Sequence, residues 1–465
     1  MDPKPDKFSA TNFLFLQHKN IGFFQLFQAY FGTKPLHTQN FIQSHDVVED
    51  EYQCLVFLSI LLQKLLHLGY YPLRFLGGTI EIFLNVTCGN CNIFEIIWNF
   101  LQGKELVDAN RADFVSIIGH IDKRVDLDKN IKRDDPKYNA ALSMMASKVS
   151  YENEAFIRET VEKHWKMEVA AIGNYWNDYE GEPSTQAFIL LDKSDNQDTY
   201  IVTFRGTELF DADQWSSDFD ISWLEFPCVG KTHAGFMKAL GLQKSNMGWP
   251  KEITPNHSHA PEAYYFIRDF LKKKLAGNDK AKFIVTGHSL GGALATLFPA
   301  ILVFHDETFL LERLEGVYTF GQPRVGDGVF AKYMDKNLKE NGVQFYRMVY
   351  SYDIVPRLPP DLNDILFRHF GTCLYFDRSF NGKKMLEEPN KNYFSLSAII
   401  PMTTNAFCEL MRSFTMVSKY GSEYEEGWVL RVFRLIGLVI PGVSNHIPQD
   451  YVNSTRLGSI LSKVD

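Results

Sequence analysis

One stretch constrains this chain more than any other: Lys282-Phe-Ile-Val-Thr-Gly-His-Ser-Leu-Gly-Gly-Ala-Leu-Ala-Thr296. Phe283 to Thr286 is short, apolar and rich in β-branched residues, so it reads as a buried strand. Gly287-His288-Ser289-Leu290-Gly291 fits G-x-S-x-G. From Gly292 onward, Ala293, Leu294, Ala295, Leu297 and Phe298 make a helical stripe running to about His305. Strand, tight turn and helix, in that order, form the setting that holds out a serine as a nucleophile. Gly287 and Gly291 have no Cβ, so strand and helix can close around Ser289. The helix dipole then favours an anion developing beside its Oγ. The same letters also describe a glycine turn before a core helix, so the rest of the chain must supply a base and oxyanion donors.

Donors are available upstream. Tyr200-Ile-Val-Thr-Phe204 is a clean strand and runs into Arg205-Gly-Thr207. Acyl transfer needs two donors aimed at the tetrahedral oxygen. The candidates are the backbone N–H of Leu290 and that of Thr207, the latter with its hydroxyl as support. Leu209 to Phe226 then sets Phe210, Trp215, Phe219 and Trp223 among aspartates and serines. A lid over an apolar acyl site is amphipathic in this way; a surface loop with core anchors is the alternative. Downstream come a strand at Gly316–Phe320, a helix at Val329–Asn341 and a strand at Phe345–Tyr350 that leads to Asp353. A serine is a poor nucleophile until a base takes its proton. With this turn the chain order is Ser, then Asp or Glu, then His, and only His369 and His446 lie beyond Asp353. His446, in the loop Pro441–Tyr451, is favoured over His369, which sits among strand-like residues. His446 is expected to act as base and then acid, with Asp353 fixing its tautomer.

Before residue 138 the texture differs. Short aromatic runs at Phe13–Leu16 and Ile21–Phe27 precede a richer apolar region at 52–101. Its pieces, Cys54–Leu62, Tyr70–Leu76, Thr79–Val86 and Ile93–Trp98, are expected to be separated by Gly69, Pro72 and Gly77-Gly78. None reaches the ~18 uncharged apolar residues of a spanning helix. They are expected to be amphipathic or re-entrant elements, either lying in a lipid interface or packing as an extra helical layer. The 38 phenylalanines among 465 residues suggest apolar surface beyond one core's need, with a large aromatic core as the alternative; the interface is favoured because so much apolar surface precedes a domain that could be complete without it. Asp122 to Lys137 is dense in both charge signs and reads as a solvated linker. The expected division is a hydrophobic region at 1–121, a linker at 122–137 and a catalytic domain at 138–465 with an insertion at about 366–440. Within that insertion, Tyr393–Val417 is apolar. Trp428–Val443, running just past it, is apolar too and is punctuated by Arg431 and Arg434. Together they read as a second lipid-contacting surface or a helical cap.

A net charge of −8 gives no general pull towards nucleic acid. The six scattered cysteines make no disulfide framework. Cys88-Gly-Asn-Cys91 lacks a second pair at zinc spacing, so no metal or other cofactor is expected. Met1–Lys7 has neither a basic n-region nor a cleavage site, which points to the cytosolic side; the sequons at Asn85, Asn256 and Asn453 then carry little weight.

Several motifs agree in order. Phe204-Arg-Gly-Thr-Glu208, His233-Ala-Gly-Phe236, Gly287–Ala295, Thr319-Phe-Gly-Gln-Pro-Arg-Val-Gly326 and Asp353-Ile-Val-Pro-Arg-Leu-Pro359 resemble the class 3 lipases, over residues 138–360 and the 441–451 loop. The resemblance implies an α/β-hydrolase fold, here with an N-terminal hydrophobic helical extension. It also implies a Ser289–Asp353–His446 triad, an oxyanion hole at Thr207 and Leu290, and a lid after the Thr207 strand. The hydrophobic N-terminal region and the long segment between Asp353 and His446 resemble the plant oil-body triacylglycerol lipases. That subfamily implies acylglycerol substrates and association with the cytosolic face of a lipid droplet or membrane. The rival expectations are a phospholipase A1 or galactolipase, and a lipase-like interaction protein without catalysis.

Overall fold

The computed structural model describes residues 8–32, 41–44, 53–87, 93–104, 108–243, 247–254, 258–359, 367–391, 393 and 395–459. Cys88, Cys91 and Asn256 lie outside these. The N-terminal part forms β1 (Asn12–Leu16), α1 (Phe23–Phe31), β2 (Ile42–Ser44), α2 (Gln53–Thr87), α3 (Ile93–Leu101) and α4 (Ile117–Ile121). Then come α5 (Tyr138–Val149), α6 (Glu154–Glu159), β3 (Glu168–Asn177), β4 (Glu182–Asp192), β5 (Thr199–Phe204), α7 (Ala212–Phe219), β6 (Trp223–Phe226), β7 (Gly230–His233), α8 (Ala234–Leu240) and α9 (Ala263–Leu275). The central stretch follows as β8 (Lys282–His288), α10 (Leu290–Phe304), α11 (Thr308–Leu311), β9 (Leu314–Phe320), α12 (Gly328–Glu340) and β10 (Gln344–Tyr350). The chain closes with β11 (Thr372–Phe376), β12 (Gly382–Met385), α13 (Leu396–Ser413), α14 (Met416–Tyr420), α15 (Trp428–Val439) and α16 (Pro448–Leu457).

Eight strands make the main sheet in the order β12-β11-β10-β9-β8-β5-β4-β3. From β5 to β11 the pairings are parallel, and antiparallel strands close both edges. Parallel strands need both faces covered, and the alternation along them supplies two cores. Val202, Phe204, Phe283 and Val285 face one with α8, α9 and α10; Ile201 and Ile284 face the other with α5 and α16. This is the α/β-hydrolase arrangement, with β8 and α10 at its centre. A second, antiparallel sheet runs β2-β1-β6-β7.

The structure departs from the sequence expectations in several places. The pieces of 53–87 are one helix, uninterrupted by Gly69, Pro72 or Gly77-Gly78. Proline removes one N–H and crowds the carbonyl four residues back. That residue, Leu68, is on the exposed side, where the helix can open without losing core contacts. Contrary to expectation, α2 is long and apolar enough to cross a membrane by length and composition, with a third of its most apolar window buried against the body. The helical spacing of the sequence runs on from Phe156 to Val169, but the helix stops at His164: Lys166 takes φ 59° and the chain enters β3. Within 1–121, β1 joins the second sheet by pairing with β6, Asn12 opposite Glu225. The charged segment after 121 is anchored rather than solvated at its start: Asp122 is buried against Arg124 (2.7 Å) and Lys148 (3.4 Å). Of the expected insertion, β11 and β12 belong to the main sheet; only the part beyond Met385 stands outside it.

Candidate active site

Ser289 sits between β8 and α10 at φ 58°, ψ −132°, a conformation that costs on the order of 1–3 kcal/mol and persists only where the surroundings enforce it. They do so here. A Cβ at Gly287 would collide with the carbonyl of Gly291, and one at Gly291 with the carbonyl of Phe204. The backbone N–H of Ser289 is tied to the Phe320 carbonyl at 2.9 Å. The strain lifts Oγ off the sheet, towards His446.

Ser289 Oγ lies 2.7 Å from Nε2 of His446. On the other side of the ring, Nδ1 is 2.8 and 3.0 Å from the two carboxylate oxygens of Asp353. Asp353 is fully buried just beyond β10. It accepts from the backbone N–H of Val355 at 2.9 Å and from the hydroxyl of Tyr451. With the carboxylate on Nδ1–H, Nε2 is left free to accept the serine proton. His369 has another place. Its Nε2–H donates to the Pro356 carbonyl at 2.7 Å, and the ring is buried beside Glu388 and Arg347. The structure thus joins Ser289, His446 and Asp353 by hydrogen bonds and gives His369 a structural position.

Thr207 and Leu290 flank the same point. Phe204 pairs opposite Gly287, so the end of β5 runs beside the turn. Thr207 is buried and its hydroxyl has no hydrogen-bond partner among the described residues. Leu290 is the first residue of α10, where backbone N–H groups have no helical acceptor.

Of the four lid candidates, three lie on or next to α7. Trp215 sets its ring edge-on to His446 with centroids 5.9 Å apart, and Ser289 is 1% exposed, so α7 covers the serine. Phe210 precedes the helix and packs against Gly77 of α2, where any side chain would strike its ring. Phe219 ends the helix, and its carbonyl accepts from Ser59 of α2 at 2.7 Å. Thus α2 grips α7 at both ends and runs antiparallel to it. Trp223 is the correction: it belongs to β6, opposite Leu14 and under the ammonium of Lys231 (4.1 Å).

Four residues have no role assigned from the sequence. Tyr451 anchors Asp353. Asp218 on α7 is fully buried with no hydrogen-bond partner among the described residues, and burial pushes its carboxyl up to about 8. Tyr151 lies under the turn and bonds His288. Arg434 of α15 is fully buried, with Glu426 at 3.0 Å, Asp450 at 2.8 Å and Glu409 at 3.6 Å. Asp450 lies in the first turn of α16, directly after the His446 loop, so this cluster fixes α15 against the catalytic loop. No local pattern marks these residues; only Arg434, a charge inside an apolar run, gave a signal.

Residues 201–363 match the family model for lipase (class 3). The chain is 38% identical to triacylglycerol lipase OBL1 of Nicotiana tabacum, over 97% of this chain and 95% of that one. It is 37% identical to triacylglycerol lipase OBL1 of Arabidopsis thaliana over the same shares. A solved structure of Rhizomucor miehei triacylglyceride lipase is similar at 25% identity and a TM-score of 0.41, covering 57% of this chain and 88% of that one.

Proposed function

The chain belongs to the class 3 lipase family and is a triacylglycerol lipase, and we propose that it cleaves acylglycerol esters with Ser289, His446 and Asp353 at the cytosolic surface of a lipid droplet. The observation that carries the chemistry is the unbroken hydrogen-bonded line from Ser289 through His446 to Asp353 under an amphipathic helix. Ser289 Oγ attacks the ester carbonyl while its proton passes to His446 Nε2. The N–H groups of Thr207 and Leu290 hold the oxyanion. His446 then returns the proton to the departing glycerol oxygen, leaving an acyl-enzyme. Water repeats the sequence and releases the fatty acid.

The surface reading rests on helices that expose a second set of apolar side chains beside the one they bury. On α2, Ser59, Gln63 and Asn85 are buried, while Leu68, Tyr71, Phe75 and Phe83 are more than half exposed. Trp98 and Leu101 of α3, Ile400 and Phe407 of α13 and Val439 of α15 are exposed as well. Such faces lie in a lipid interface with the apolar side down. Because the other face of α2 holds the lid, docking α2 on lipid brings the lid to the same surface. The domain division follows: α1 to α3, with α13 and α15, form the lipid-facing layer, and the remainder is the catalytic body.

The test is fatty-acid release from emulsified triacylglycerol, phosphatidylcholine and galactolipid, by wild type and Ser289→Ala in parallel. Release from triacylglycerol, lost at least ~1000-fold in the variant, is expected. Release mainly from the polar lipids would replace the droplet reading with a membrane-lipid one. Hydrolysis retained in the variant would remove Ser289 as nucleophile.

A further inference from the structure

His288 occupies the second position of the Gly287–Gly291 turn, next to the nucleophile, and both its ring nitrogens are engaged. Nε2 lies 2.8 Å from the backbone carbonyl of His446. A carbonyl only accepts, so Nε2 carries the proton. Nδ1 is therefore the acceptor for the hydroxyl of Tyr151, 2.7 Å away. The pattern needs a neutral imidazole, and burial together with the adjacent His446 holds the ring well below the usual histidine range. The two histidine rings lie face to face, centroids 4.6 Å apart and planes 30° apart.

We propose that Tyr151 and His288 are positioning residues for ester hydrolysis: they pin the main chain of His446 so that its Nε2 stays within reach of Ser289 Oγ through both proton transfers. The proposal rests on the assignment of Ser289 and His446 as nucleophile and base. His446 sits in a single turn, Ser444–His446, and not in a regular element. Its N–H is used within that turn, on the Val443 carbonyl at 3.1 Å. The tie from its carbonyl to His288 is what joins it to the nucleophile turn. The Tyr151 hydroxyl also touches the oxyanion side. A Cβ at Gly206 would run into that hydroxyl and into the His288 carbonyl. One tyrosine–histidine pair thus registers three separate segments: the turn of Ser289, the strand end bearing Thr207 and the loop of His446. Its neutrality matters too. His446 becomes an imidazolium during the reaction, and a second charge 4.6 Å away would oppose it.

The experiment compares Tyr151→Phe, His288→Gln, His288→Leu and Ser289→Ala in the full chain. It reads kcat and KM on a soluble short-chain ester, the rate at which a fluorophosphonate labels Ser289, and the thermal midpoint. Glutamine can still present an N–H near the place of Nε2; leucine cannot. The expected result is a fall in kcat and labelling rate of ~100-fold for leucine and ~10-fold for glutamine and for Tyr151→Phe, with KM unchanged, as small misplacements of reacting groups produce. Equal losses in the leucine and glutamine variants would overturn the proposal. So would a lowered midpoint with unchanged kcat per labelled serine. Ester hydrolysis retained by Ser289→Ala would instead overturn the triad assignment beneath it.

Discussion

The catalytic body and the helices laid over it differ in what they leave on the outside. All 15 residues of α10 are buried, and they are almost entirely apolar. On α15 the buried set includes Arg434, while Trp428, Val432, Leu435, Ile436 and Val439 face outwards. α2 buries Ser59, Gln63 and Asn85 beside Leu55, Val56, Phe57, Ile60 and Leu84, and it too leaves Leu68, Phe75 and Phe83 outside. In water an amphipathic helix buries its apolar stripe. Helices α2 and α15 each bury one apolar set and expose another, and the proposed lipid contact uses the exposed one. Mean hydropathy reports that a segment needs an apolar neighbour; only the fold reveals on which side that neighbour lies.

The inner face of the overlying layer offers the largest effect. Arg434→Ala leaves Glu409, Glu426 and Asp450 buried with Arg412 as the one remaining arginine in the cluster among the described residues. Breaking a buried ion-pair cluster from one side costs roughly 3–5 kcal/mol. The thermal midpoint at neutral pH is expected to fall accordingly, and kcat with it, since Asp450 holds the start of α16 and thereby the position of Tyr451 against Asp353. An unchanged midpoint would mean that the layer is held by its apolar contacts alone, and the comparison would lose its inner half.

The outer face should respond in the opposite way. Leu68→Glu with Phe75→Glu places two charges on the exposed side of α2, at side chains that face away from α7. Partition onto triacylglycerol droplets, read by flotation, is expected to fall on the order of 100-fold. This is the scale for losing two interfacial apolar side chains. The midpoint and the hydrolysis of a soluble ester should stay at wild-type values. These point changes are sharper than removing the N-terminal region, because that would also take away β1 from the second sheet and Ser59 from the lid. Undiminished flotation would place lipid contact on α13 and α15 instead.

Distance along the chain decides how much of the site is legible in the sequence. The turn at Ser289, the strand before it and the helix after it are written in one consecutive run, Lys282 to Thr296. Thr207 and Asp353 each follow a recognisable strand, and chain order singles out His446. Contacts made across long separations leave no such trace. Tyr151 meets His288, and β1 pairs with β6, through the fold alone. Trp223 reads as part of the lid because it continues an aromatic series, yet a strand partner claims it. The continuity of α2 is hidden for a different reason: local rules treat Gly69, Pro72 and Gly77-Gly78 as breaks. Here Gly77 lies in mid-helix because Phe210 needs the room of a missing Cβ.

The smallest effect probes the boundary between the two regions, the lid helix itself. Asp218 belongs to α7, where burial pushes its carboxyl from the ordinary carboxylate range up to about 8. Below pH ~4 the group is protonated whether the chain is folded or not, and it has no influence on the pH dependence of stability. Between pH ~4 and about 8 the unfolded chain releases the proton and the folded chain keeps it. The folded state therefore binds more protons, and stability falls as pH rises through that window. Asp218→Asn removes the titration. Measured by denaturant unfolding, wild type should lose on the order of 2 kcal/mol more than the variant between pH ~5 and pH ~7. Adding droplets should shrink the difference if α7 leaves its seat on the lipid surface, because the carboxyl then meets water or the interface and ionises freely. A difference that persists unchanged on droplets would show that α7 stays seated, and that the outward-facing layer docks on lipid without drawing the lid away from Ser289.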